Sequence, residues 1–140
     1  MTAKVKTKAV NRATYSNFLK KAEELHESMV SAYEQQHWNS CVITAIHCAI
    51  SAIDALTVNM IGVKSAGERH GDVVMLLPEL GLDPSEMNAK RGQILGLLDV
   101  KNIAEYNDQL MTEADADKAM KYCDRILAWV KEKLATSNSK

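Results

Sequence analysis

Phenylalanine occurs once in this chain and proline twice, and no strand-like run is longer than "DVVMLL". That poverty, set against seven methionines, argues against an all-β class and for helices. Cysteine is scarce too. Cys41, Cys48 and Cys123 form neither a CxxC pair nor a zinc spacing. Cys41 and Cys48 would sit two helical turns apart, about 10.5 Å of rise, beyond disulfide reach. Buried free thiols in a reducing cytoplasm are therefore expected, with no metal and no cofactor. Net charge is almost absent, at 17 basic against 18 acidic residues. This excludes a global field for nucleic acid but leaves room for a local patch. No uninterrupted apolar run approaches ~18 residues, and the most hydrophobic stretch carries His47 and Asp54, so no membrane span is expected. The opening "MTAKVKTKAVNRAT" is basic without an apolar core, which reads as no signal peptide. No Walker motif, HExxH, GxSxG or GxGxxG occurs.

What is present is helical periodicity. A chain of 140 residues has the size of one domain and buries roughly 68–70% of its unfolded surface without a staple. A flexible arm is expected over 1–13, a single helical domain over 14–135 and a disordered tail over 136–140. The first helix starts at Thr14 or Ser16 and runs to about Gln36, burying Phe18, Ala22, Leu25, Met29 and Tyr33. The second covers about Trp38 to Met60 and is the most hydrophobic. A glycine-containing loop, "GVKSAGERHGD", follows, then a short helix over "DVVMLLPEL" stopped by Pro78 and Gly81. Asp83 or Ser85 caps a third long helix. Thr112 opens the last, with Glu113 and Asp115 in its first turn. The expected fold is an all-α, up-and-down bundle of four to five helices.

Three features carry candidate chemistry. Thr44, His47, Ser51, Asp54 and Val58 recur at three- and four-residue steps, an arc of about 80° on the second helix. His47 and Asp54 then look into a cleft or an interface, unless the stripe serves only close helix packing. In the loop, Arg69, His70 and Asp72 stand beside glycines, where an anion could be held or the charges simply solvated. The third feature is "LLDVKNIAEYND". If the helix continues, Asn102 and Tyr106 prolong the line of Leu95 and Leu98, while Lys101 and Glu105 follow Ile94 and Leu98. That places a polar group toward the interior, where a buried charge needs partners. Asp54 and His47 are complementary by type, and a network that only pins helix register is the structural alternative.

"KNIAEY" resembles the central motif of HEPN (higher eukaryotes and prokaryotes nucleotide-binding) domains. "AIHCAISAIDAL" is similar to their alanine-rich second helix with an acid, here Asp54, facing the cleft. "VKSAGERHGDVVMLLPEL" resembles the loop and helix of small prokaryotic members, so the likeness spans roughly 16–135. The resemblance implies a helical bundle, usually a homodimer, with nucleotide or RNA as ligand and, in some members, a nucleotidyltransferase partner. Many members are metal-independent endoribonucleases of toxin–antitoxin or defence systems, whose Arg and His act on the RNA phosphate and 2′-hydroxyl. Position by position, Lys101 takes the Arg place, Asn102 the polar place and Tyr106 the His place. Lysine cannot grip phosphate bidentately as arginine does. Tyrosine, with an ordinary pKa near 10, is a poor proton carrier near neutrality. The resemblance therefore implies a dimeric binding or interaction module with a degenerate motif, and the thiols and the N-terminus add the expectation that it is cytoplasmic. Its candidate ligand contacts are Asn102, Glu105, Asp54, His47 and His70. The alternative is an RNase in which Lys101 and Tyr106 are catalytic.

Overall fold

A computed structural model describes residues 7–66, 70–106 and 108–138. The chain is an all-α bundle with one small β-ribbon. Helix α1 spans Tyr15–Glu34, α2 Trp38–Ile61, α3 Pro84–Tyr106 and α4 Glu113–Asn138. A 3-10 turn, Arg12–Thr14, precedes α1, and an eleven-residue 3-10 segment, His70–Leu80, replaces the short helix expected before α3. Pro78 lies inside that segment. Proline lacks the N–H that an α-helical ladder requires, which favours a short irregular helix here.

Helix α2 is the axis of the fold. It packs against α1, α4, α3, both 3-10 elements and the ribbon. Its first half is amphipathic, but from Ala52 to Asn59 every residue is buried. Small side chains make this encirclement feasible, since Ala45, Ala49, Ala52 and Ala55 are buried and let neighbouring backbones come close. Ala22 and Met29 of α1, with Ala119, Cys123, Ile126 and Val130 of α4, complete the core around it. By length and composition alone α2 is apolar enough to cross a bilayer. Yet 72% of its most apolar 18-residue stretch is buried inside the bundle, as for a core helix.

The ends of α2 are fixed by local geometry. Gly62 caps its C-terminus at φ 68°, and a Cβ there would meet the Arg12 side chain at 3.2 Å. The left-handed turn admits strand β2, Val63–Ser65, which pairs antiparallel with β1, Thr7–Ala9. Part of the arm expected to be flexible is thus held as a strand, and the glycine-containing loop starts as one. Three-residue strands are too short for alternation to show in sequence. At the other end, α4 continues to Asn138, past the expected start of the tail. Asn59 explains this. Its side-chain amide donates to Asn138 Oδ1 at 2.9 Å, Asn138 donates to Tyr15 Oη at 3.0 Å, and the Asn59 carbonyl accepts from Arg12 Nε at 2.7 Å.

The expected caps form. Asp83 accepts the Glu86 N–H at 3.1 Å and the Ser85 hydroxyl, which holds its carboxyl below the usual range. Thr112 and Asp115 make a reciprocal capping box at 2.9 and 3.2 Å.

The face of α3 differs from the sequence expectation. Its buried line is Met87, Ile94, Leu97 and Val100, whereas Leu95 is 41% exposed. The line Leu95–Leu98 is therefore an edge of the buried face rather than its centre, and the side chains of Asn102 and Tyr106, which it was expected to carry inward, lie outside the described residues. The face differs because α3 docks on α4, α2 and the 3-10 segment, so its apolar arc is broad and rotated from the Leu95–Leu98 line.

Two stability outcomes follow from this packing. Ala52→Leu adds volume to a fully buried, close-packed position and is expected to destabilise by about 1–3 kcal/mol in urea unfolding; an unchanged midpoint would refute the encirclement. Gln36, the one non-glycine residue with positive φ among the described residues (62°), terminates α1. Gln36→Gly is expected to stabilise by roughly 0.5–1 kcal/mol, the relief of left-handed strain less the entropy glycine adds to the unfolded chain.

Candidate functional site

Asp54 stands midway along α2, inside the run that is buried on every side. Its residue exposure is 8%, and Oδ1 has no hydrogen-bond partner among the described residues. Burial penalises the ionised form and pushes its carboxyl up from 3.8 to about 6, while the ammonium groups of Lys64 and Lys21 pull the other way. Neither lysine makes a contact ion pair among the described residues, so their help reaches Asp54 through space. A carboxyl titrating near 6 exchanges its proton close to neutrality, which suits either proton transfer or reception of a hydrogen bond from a ligand.

The other members of the α2 stripe are less enclosed. Thr44, His47 and Ser51 are half-buried. Thr44 spends its hydroxyl on the Ser40 carbonyl at 2.7 Å. Ser51 lines a shallow cavity of about 340 Å³ with Lys21, Glu24, Leu25 and Ser28 of α1. His47 lies two turns from Asp54, about 10.5 Å of rise, so the two occupy different levels of the helix. The stripe grades from a half-exposed edge into the buried core.

The backbones of Lys101, Asn102, Glu105 and Tyr106 form the last turns of α3, and that of His70 opens the 3-10 segment. The side chains of all five lie outside the described residues, and Arg69 lies outside them altogether. Of the candidate contacts, Asp54 and His47 are those with described side chains.

Sequence reasoning missed two groupings. His26 of α1 and Asp124 of α4 meet at 2.7 Å beside a cavity of about 380 Å³ lined also by Glu23, Glu27 and Lys131. They are 98 positions apart, so no local pattern links them. The second is the ring of Phe18, with the Lys21 and Lys64 ammoniums 5.5 and 5.2 Å from its centroid. Its one sequence signal is the basic character of the N-terminal stretch. Among the described residues no group of histidine, cysteine and carboxylate is placed to hold a metal.

A bundle built around one alanine-rich helix, with a buried acid on it and a polar motif ending the third helix, defines a class of compact helical domains. The chain belongs to the HEPN domain family: that family model matches residues 15–133, from the first turn of α1 almost to the end of α4. This membership makes it a helical module of a nucleotide- and RNA-related family. Comparison with curated proteins finds no match.

The titration of Asp54 gives a stability prediction with a definite sign. Its folded pKa lies above its unfolded value, so its contribution is fully favourable below about pH 3.8 and is lost as pH rises through about 6. Asp54→Asn, which stays neutral, is expected to gain on the wild type across that interval by on the order of 2–3 kcal/mol and then level off. Urea unfolding of both proteins at pH 4 and pH 7.5 measures the difference. A gap independent of pH would show that Asp54 is hydrated.

Proposed function

We propose that this chain is a homodimeric HEPN module that binds a nucleotide or RNA, or a protein partner, through a cleft containing Asp54 and the altered motif of α3, and that it does not cleave RNA. The observation that carries this reading is the buried Oδ1 of Asp54, an acceptor without a partner among the described residues. A folded protein seldom leaves such an atom unsatisfied without a functional reason. The motif supports binding over cleavage, because Lys101 offers a point charge in place of a bidentate guanidinium and Tyr106 a phenol in place of an imidazole. Asn102, Glu105, His47 and His70 are the further ligand contacts of this reading. Leu95 and Ile103, each 41% exposed on α3, supply apolar surface for a homodimer. A nucleotidyltransferase partner and a place in a toxin–antitoxin pair fit the same module.

The second reading, a metal-independent endoribonuclease, draws on Asp54 itself. A carboxyl titrating near 6 supplies the proton carrier that Tyr106 is ill suited to be, leaving Lys101 to contact the phosphate.

The two separate in one assay. A mixed RNA pool incubated with the purified protein in chelator is expected to stay intact while the protein sediments as a dimer. Cleavage that is lost in Lys101→Ala, Tyr106→Phe and Asp54→Asn would establish the nuclease and end the binding-only reading.

A further inference from the structure

Charge is distributed very unevenly along this nearly neutral chain. The first 22 residues hold six lysines and arginines and no acidic residue, so the remaining 118 carry all eighteen acids against eleven bases. The fold concentrates this contrast. In the ribbon, Lys8 and Lys64 are direct cross-strand partners. Directly opposed residues of an antiparallel pair stand about 5 Å apart at Cβ, a spacing at which like charges repel. Lys21 joins them through the Phe18 ring, which its ammonium and that of Lys64 both approach. Lys20 and Arg12 are exposed nearby in sequence. Among the described residues none of Lys8, Lys21 and Lys64 has a carboxylate in ion-pair contact. Asp54 feels Lys21 and Lys64 only through space.

A short ribbon that opposes two lysines and adds a third across an aromatic ring is poorly arranged for stability alone and well arranged for a polyanion. We infer that Lys8, Lys64 and Lys21, the last two at the half-buried ring of Phe18, form a docking surface for single-stranded RNA, with the ammoniums on successive phosphates and the Phe18 ring against a base or ribose. This inference rests on the RNA-binding reading of the family fold and adds to it a surface built from α1 and the ribbon, apart from the α3 motif. Three features select the occupant. Two of the three ammoniums lie beside an aromatic ring, as in surfaces that pair phosphate contacts with stacking. The acidic excess elsewhere steers a polyanion toward this face. A membrane is the poorer fit, because the exposed large apolar residues are Met75, Leu95, Ile103 and Leu110, none of them in the ribbon or in α1, whereas a peripheral membrane surface combines basic with exposed apolar groups.

The test measures binding of a fluorescent oligouridine to the full chain by anisotropy over a range of salt concentrations. The proteins compared are wild type, Lys8→Gln/Lys21→Gln/Lys64→Gln, Phe18→Leu, Lys101→Ala/Tyr106→Phe, and a distal control, Lys118→Gln/Lys121→Gln on α4. Circular dichroism verifies that each is folded. Removing three phosphate contacts is expected to weaken binding about tenfold or more and to lower the slope of log affinity against log salt by about 2. Phe18→Leu should weaken binding severalfold at unchanged slope, and the distal control should match wild type. Wild-type affinity and slope in the triple variant would overturn the proposal. Binding lost only in the Lys101/Tyr106 variant would do the same while leaving the cleft reading standing; loss confined to the triple variant supports the ribbon and counts against the cleft. Capture by phosphatidylserine vesicles, abolished in the triple variant, with no oligouridine bound, would assign the surface to membranes and overturn the RNA proposal.

Discussion

The burial of α2 on every side from Ala52 to Asn59 is the constraint on which the rest of this structure depends. A helix with no face left for water needs apolar or small side chains almost everywhere, and the alanines supply the second kind. Any polar residue kept on such a helix must be satisfied from within or carry an energetic cost. Thr57 is satisfied by the Asp54 carbonyl at 3.3 Å, and the side-chain N–H of Asn59 by the end of α4, while Asn59 Oδ1 and Asp54 Oδ1 are left without partners among the described residues. Of these two only Asp54 can ionise, and its raised pKa is the direct consequence of the packing that makes the core.

The same encirclement explains how the termini are held. Asn59 lies where α2 emerges from the bundle, and its carbonyl and amide tie down the 3-10 turn before α1 and the last residues of α4. Gly62 then reverses the chain into β2, bringing Lys64 beside Lys8 and near Phe18. The basic N-terminal stretch is thereby placed on the side of α2 that holds the buried acid, where Lys21 and Lys64 partly offset the burial of Asp54.

Much of this fold was legible in the sequence because its signals are local. The 3.6-residue recurrence of apolar positions located the long helices, and Thr112 and Asp83 announced two of their starts through hydroxyl and carboxylate caps. "KNIAEY" and "AIHCAISAIDAL" pointed to the family because the first is a short contiguous motif and the second a continuous helix. Other features were not legible. β1 and β2 are three residues each, too short to declare a period, and they pair across more than fifty positions. The 3-10 segment read as an ordinary short helix because its apolar pattern is helical; Pro78 shows in retrospect why it is not. The exposure of Leu95 depended on which neighbours α3 meets, and no periodicity within α3 states that.

Composition and periodicity by themselves determined an all-α helical domain with an acid on its second helix, and the resemblance of short segments to HEPN domains pointed to the family. These are properties of single segments, written in the order of neighbouring residues. Only the tertiary structure decided that α2 is buried on every side along its second half, that Asp54 is buried deeply enough to titrate near neutrality, and that Lys8, Lys21 and Lys64 share one surface. Each of these depends on the dielectric and the charges that distant segments bring to a side chain, and no segment carries that information alone.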